Sequence, residues 1–423
     1  MRKLALLVLL PSLIAAGCSS SDESTDGDSG SMTIRFQVSG EAEETAVYRT
    51  VAEAFKDEHP EVEVKLTEIA EKDEHLQKLT TAFAGGDAPE VFLINFREYS
   101  QFVVRGAIEP IGPHLDQTGI DVADYYEQPI EAFTYDGELQ CMPQNISSLV
   151  VYYNTRLFKR AGIERPSDDW TWDEFRVIAE QLTGGDVRGV GIDPDIIRLS
   201  PFIWSNGGDV VDDLDAPTTF TLDQPEAREA LEFLVGLAQD GLIPTEEELA
   251  AQDPETRFVT GKLAMQFSSR RETPVFRESL DLKWDVLPVP VADEPSTILH
   301  SDAYCISSGS ENLDAVLDFV GFAAGENGQT LTALSGRTVP SLRSVATSGA
   351  FLDPSQPPRH SKVFLDSIPV MQRTPVIPTW PEIEDVSTEI LTRAFYEDDY
   401  TIDEALEDLV AETSSLFEEG SDG

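Results

Sequence analysis

Residues 140–154 read QCMPQNISSLVVYYN, and the reading of this stretch decides the fold. A near-continuous run of apolar, β-branched and aromatic side chains (Leu149, Val150, Val151, Tyr152, Tyr153) stands directly behind the polar segment Pro143-Gln144-Asn145. Alternation of apolar and polar residues is lost when both faces of a sheet are covered, so the run predicts a buried strand. A polar approach to a buried strand needs water, a partner chain or a ligand. Asp136-Gly137 upstream is a hairpin signal, and Asn154-Thr155 downstream opens a helix-like stretch, RLFKRAGI, that stops near a Gly. An ordinary central strand whose first residues lie at a sheet edge would read the same way.

Working outward toward the N-terminus, residues 32–38 (MTIRFQV) alternate like a strand, and Val47, Val51, Ala54 and Phe55 have helical spacing within 42–59. A second strand, VEVKLTEI, follows His59-Pro60. A helix carrying Leu76, Leu79 and Phe83 then stops at Gly85-Gly86, and residues 91–94 form a third apolar strand. This β-α-β-α-β order is the grammar of a parallel sheet with crossover helices. In open α/β sheets ligands sit beyond the carboxyl ends of strands. Two such ends are visible as polar loops, Ser39-Gly40-Glu41 and Asn95-Phe96-Arg97-Glu98-Tyr99.

Toward the C-terminus, Thr171 with Glu174 three residues on is a capping box, and Trp172, Phe175 and Ile178 face a core. Trp204 beside Asn206-Gly207-Gly208 reads either as a stacking platform for the C–H face of a ring or as a core Trp before a turn. A long helix starts at Pro225, and a strand in RFVTGKLAMQF ends in Ser268-Ser269-Arg270-Arg271. Residues 284–290 form an edge-like strand stopped by prolines. Residues 301–306 (SDAYCI) form a short strand with a polar beginning, of the same design as the stretch at 140–154, and are the candidate return path. Residues 312–324, 381–396 and 402–417 are helical.

Met1 to Cys18, MRKLALLVLLPSLIAAGC, carries two positive charges, an apolar run and small residues before a Cys, the pattern of a secretory signal. Ala15-Ala16-Gly17-Cys18 resembles a bacterial lipobox, with Cys18 the lipidated residue. Residues 19–31 (SSSDESTDGDSGS) form a flexible tether. The remaining length is too great for one core and calls for two lobes. The formal net charge of −48, from 78 acids against 30 bases, excludes nucleic acid as a partner and reads as the hydrated surface of a salt-adapted protein. Of the other two cysteines, Cys141 and Cys305, two free, half-buried thiols are expected, with a disulfide the alternative open to an exported protein. His59, His75, His114, His300 and His360 are scattered, and no metal-ligand spacing occurs.

Eight stretches in order, FKDEHPEVEVKLTE, AGGDAPEVFLINFREYSQF, MPQNISSLVVYYNTRLFKRAGI, DDWTWDEF, GKLAMQF, the run from SSGSEN to GQ, GRTVPS and the C-terminal pattern around EIE, ILTRAF and DEAL, are similar to the extracellular solute-binding proteins of family 1, the sugar-binding lipoproteins of ABC importers related to maltose-binding protein. The resemblance implies an α/β, two-lobe periplasmic-binding-protein-like fold (type II), with a ligand cleft between lobes joined by crossover segments. One lobe would hold 32–142 plus 304–345 and the other 143–303 plus 346–423. Carried over position by position, it implies that Ser39, Gly40 and Glu43 line the first loop and Asn95, Arg97 and Glu98 the loop after the third strand. Gln144 and Asn145 would sit at the crossing, Trp204, Asn206 and Gly208 on the second lobe, with Arg270, Asp302, Arg337 and Trp380 closing the cleft. Amides, carboxylates and Arg suit hydroxyl-rich ligands because they supply directed donors and acceptors.

The function implied is capture of a sugar, oligosaccharide or polyol, without cofactor, and delivery to an ABC permease and its ATPase subunits. The protein would be a monomer, lipid-anchored to the outer face of the cytoplasmic membrane. Three arginines leave open an anionic sugar phosphate or glycerol phosphate ester. An exported glycoside hydrolase is the competing class, since the acids could hide a catalytic pair.

Overall fold

Within residues 142–154 the chain passes through three sheets of the computed structural model, which describes residues 32–40 and 42–421. The expected signal segment, Cys18 and the tether lie outside the described residues. Met142–Pro143 belongs to a six-stranded sheet, Ser147–Ser148 to a three-stranded one and Val150–Asn154 to a four-stranded one. The last segment is buried throughout, as the loss of alternation predicted. Its side chains still sort by parity. Val150 and Tyr152 enter one hydrophobic core and Leu149, Val151 and Tyr153 the other, because successive side chains of a strand leave opposite faces.

The first lobe is built on the order Val62–Ile69, Met32–Ser39, Val91–Asn95, Asp302–Ser307, Ile108–Glu109. The first three strands are parallel, and Asp302–Ser307 returns antiparallel with Asp302 opposite Asn95. The second lobe has the order Arg188–Gly191, Leu263–Ser268, Val150–Asn154, Trp284–Leu287. The small sheet joins the two, pairing the outgoing Ser147–Ser148 with the returning Thr297–His300.

Local signals set the helices. Lys72–Gly85 stops because Gly86 takes the left-handed conformation at φ 70°. Trp172–Leu182 opens with the expected capping box: the Glu174 amide donates to Thr171 Oγ1 at 3.3 Å and the Thr171 amide to Glu174 Oε2 at 2.9 Å. Pro225–Gln239 begins with Pro at its first position, where the missing N–H costs nothing. The C-terminal helices Trp380–Tyr396 and Ile402–Ser421 pack on the second core through Trp380, Ile390, Leu409 and Phe417.

Phe351, Phe364 and Ile368 share a core with Phe36 and Phe319, and that core also takes in Phe276 and Trp284. One expectation needs revision. Cys141 and Cys305 form a disulfide with Cα atoms 4.5 Å apart, across 164 positions of sequence, in place of two free thiols. The pairing of Pro143 with Ala303 and Met142 with Tyr304 in antiparallel register brings the next two residues side by side.

Candidate functional site: an interlobe cleft

Between the lobes lies a cleft of about 750 Å³. Ser39, Gly40, Asn95, Arg97, Glu98, Asn145, Arg270, Asp302 and Arg337, all expected at a site, line it. The strand ends do what open α/β sheets lead one to expect, since two of these groups follow Met32–Ser39 and Val91–Asn95 directly. At the first, Gly40 has φ 133°, and a Cβ there would meet Glu44 Oε2 at 2.6 Å. Only Gly makes that turn, and the turn delivers Glu44 to the cleft.

Three polar side chains lock the crossing. Asn95 Nδ2 donates to Asp302 Oδ1 at 3.0 Å, and Asn145 Nδ2 to Asp302 Oδ2 at 3.4 Å. The Asp302 amide donates to Asn145 Oδ1 at 2.6 Å, and Ser301 Oγ to the Asn145 carbonyl at 2.7 Å. The loop after Val91–Asn95, the outgoing crossing and the return strand thus meet at one carboxylate, presenting directed donors and acceptors with their orientations already fixed.

One side of the cleft is a buried ion cluster. Arg97, 7% exposed, sets Nε 2.9 Å from Glu384 Oε1, which also accepts the Trp380 indole N–H at 2.6 Å. Lys72 Nζ lies 3.4 Å from Glu98 Oε1. Burial raises the Glu98 and Glu384 carboxyls above their usual range, against the pull of Lys72 and Arg97. For Lys72, burial works downward, and the Glu98 and Glu384 charges outweigh it, so the ammonium is held above its ordinary value. Arg337 is treated alike: Glu44, Tyr48 and Asp302 overcome its burial and raise it.

Arg270 differs. It is 1% exposed and sandwiched between the rings of Phe351 and Phe364, 4.8 and 5.2 Å from its guanidinium carbon. Its Nε donates to the Gly336 carbonyl at 3.0 Å and its Nη1 to Ser361 Oγ at 3.4 Å. Without a carboxylate against it, burial lowers it to about 9.

Of the six other expected residues, five lie elsewhere and the sixth, Glu43, has no described side chain. Gln144 is wholly buried, its Nε2 donating to the Tyr48 hydroxyl at 2.6 Å. Trp204 sits in the second core, and Asn206 Nδ2 donates to the Glu226 carbonyl at 2.8 Å, tying its turn to the helix Pro225–Gln239. Gly208 is where that helix comes closest, since a Cβ would meet the Ala227 amide nitrogen at 2.7 Å. Trp380 is fully buried beside Phe220 and Phe417, and Glu384 links it to the lining residue Arg97. Glu43 lies in the first helix, and its side chain is outside the described residues. Of the two readings open for Trp204, the structure has the core Trp before a turn, and no Phe, Tyr or Trp occurs among the described residues lining the cleft.

Sequence reasoning missed Glu44, Lys72, His75, Arg198, Glu255, Arg271 and His300 as lining residues. His75 binds Gln37 and the Leu93 carbonyl, and burial lowers it to about 4. Glu255 is raised to about 7 by burial and then by Glu272 and Asp253. The one signal for Arg271 was its place in Ser268-Ser269-Arg270-Arg271; Lys72 and Arg198 sit in first turns of helices, where charge is ordinarily solvated.

Two lobes, a polar cleft at strand ends and paired crossing strands form a binding architecture, and comparison with known proteins agrees. The profile of the family described as bacterial extracellular solute-binding protein matches residues 50–356. The chain belongs to that family. As a bacterial extracellular solute-binding protein it is 24% identical over 419 residues to a Brucella abortus protein named only as a binding protein, covering 96% of this chain and 97% of the other. An ABC substrate-binding protein from Listeria monocytogenes in complex with cycloalternan superposes with a TM-score of 0.84, at 24% identity, over 92% of this chain and 99% of that one. The GacH receptor of Streptomyces glaucescens, solved unliganded and with acarbose, gives 0.80 at 23% identity over 92% and 99%. At these identities the likeness to solved structures carries the two-lobe fold.

Proposed function

We propose that this protein is the solute-binding lipoprotein of an ABC importer, capturing a sugar, oligosaccharide or related polyol in the interlobe cleft and handing it to a membrane permease. The observation that carries this reading is the Asn95–Asp302–Asn145 constellation, a preset array of amides and a carboxylate at the point where both lobes and both crossings meet. Such an array suits a hydroxyl-rich solute, each hydroxyl being donor and acceptor at once. Cycloalternan and acarbose, bound by two proteins of the same fold, are solutes of this kind. Ser39, Glu44 and Glu71 would add acceptors from the first lobe. Because the crossings are short strand pairs, rotation about them closes the lobes on the solute and reopening returns it unchanged. Cys18 would anchor the exported chain to the outer face of the membrane, with residues 19–31 as tether. The acidic surface would serve a salt-rich exterior.

The test is a thermal-shift and calorimetric screen of the whole chain against mono- and oligosaccharides and polyols in potassium chloride. A ligand at a hundredfold its Kd adds about 2.7 kcal/mol, a rise of a few degrees in Tm, and Asp302→Ala should abolish it. Release of product from a glycoside would instead identify a hydrolase. Neither binding nor turnover would refute both.

A further inference from the structure

Six of the 30 Lys and Arg of this acidic chain, Lys72, Arg97, Arg198, Arg270, Arg271 and Arg337, line one cavity. Three of them keep a covered nitrogen without a hydrogen-bond partner, Arg97 Nη1, Arg270 Nη2 and Arg337 Nε, and Arg198 Nε has only Asp193 at 3.5 Å. His300 Nε2 is also without a hydrogen-bond partner. Covered N–H groups without partners, on side chains that line a cavity, are unusual in a folded protein; seven Asp and Glu side chains share the same lining.

The acids nearby do not exhaust these donors. Glu384 answers Arg97, Asp195 and Asp193 face Arg198, and Glu272 and Glu44 lie 3.2 and 3.9 Å from Arg271. A guanidinium has five N–H groups in a fixed fork, and each of these arginines meets its acid through one or two. The His300 ring lines the cavity together with Arg97, Arg198 and Arg271, and burial, followed by the positive fields of these three arginines, holds it well below its usual value. That ring is in the strand that leads into Asp302, so the cationic group adjoins the amide array.

The cleft also lacks Phe, Tyr and Trp among its described lining residues. A neutral saccharide would find directed hydrogen bonds here but none of the large aromatic faces that pack on sugar C–H groups. A planar or tetrahedral oxyanion would find forked donors suited to it.

Resting on the proposed solute-binding role, we infer that the solute is an acidic saccharide, whose carboxylate or phosphate sits among Arg97, Arg198, Arg271 and His300 while its hydroxyls are read by Asn95, Asn145 and Asp302.

Calorimetry of the whole chain with glucose, glucuronate, glucose 6-phosphate, maltotriose and trigalacturonate in 0.2 M potassium chloride tests this. The acidic members should bind at least tenfold tighter than their neutral counterparts, and the order of glucuronate and glucose 6-phosphate distinguishes carboxylate from phosphate. Arg198→Gln and Arg271→Gln should each cut the acid-to-neutral affinity ratio at least tenfold, as expected for loss of a charge-assisted contact. Arg271 is half-exposed, so its variant should fold, as its melting curve would verify. Equal or tighter binding of neutral members would overturn the inference while leaving saccharide binding in place. So would an acid preference that neither variant alters. If no member of either series binds, the inference falls together with the saccharide reading on which it rests.

Discussion

Arg97 and Arg270 are both buried, both line the cleft, and are held in opposite ways. Arg97 sits in a cluster of opposite charges, with Glu384 against it and Glu98 and Lys72 beyond. Arg270 has no carboxylate; two phenyl faces, a carbonyl and a hydroxyl hold it. The first arrangement depends on every member being present, because removing one leaves a bare charge in a low dielectric. The second spreads its compensation over neutral groups that survive the loss of the cation. Burial alone therefore says little about how much an arginine stabilises.

The sharpest way to break this comparison is to replace both arginines by Met. Arg97→Met should destabilise by about 3–5 kcal/mol near neutral pH, since Glu384 and Glu98 lose their partner. Glu384→Gln in the same chain should recover part of that, because Gln still accepts the Trp380 N–H. Arg270→Met should cost only about 1–3 kcal/mol, the cation–π contacts and two hydrogen bonds. Denaturant titrations measure both, and equal losses would end the distinction.

A third experiment extends the contrast to a like-charge contact. Burial, with Glu272 and Asp253 nearby, raises the Glu255 carboxyl from its ordinary 4.5 to about 7. Its raised pKa means that its contribution is fully present below about pH 4.5 and is lost as pH rises through 7, where the carboxylate must charge beside Glu272. Glu255→Gln should accordingly stabilise by about 1 kcal/mol at pH 8, after discounting for solvent screening, and change nothing at pH 4. Midpoints at the two pH values decide it. The smallest effect expected is a difference that stays constant. Raising potassium chloride from 0.2 to 2 M should increase the Tm of this strongly acidic chain, yet leave the gap between wild type and Arg97→Met unchanged within about 0.5 kcal/mol, because salt screens the surface and not a buried pair.

What the sequence disclosed follows the same physics. The crossing at 140–154 was legible because burial on two faces erases alternation, and Asn95, Asn145 and Asp302 because each stands where a strand ends or begins in polar residues. Trp204 and Trp380 were misjudged. An aromatic beside a glycine turn looks the same whether its ring faces a cleft or a core, and helical spacing does not say which side another helix will cover. Lys72, Arg198, Arg271 and His300 lie far apart in sequence, in positions where a charge is ordinarily a solvated one, and only the tertiary fold brings them to one cavity. The disulfide was hidden likewise: 164 positions separate two cysteines that neighbour each other solely through the register of Met142 with Tyr304.

That bond gives the molecule an unequal mechanical path. Along the covalent chain, a pull between residues 32 and 421 travels to Cys141, through sulfur to Cys305, and on to residue 421. Residues 142–304, which carry every strand of the second sheet, hang from this line as a closed loop that bears no load. Stretching the oxidised chain would release roughly 55 nm less contour than stretching the reduced one, at about 3.4 Å per residue. Extension of the unfolded oxidised chain would thus leave the residues of the second sheet off the force line.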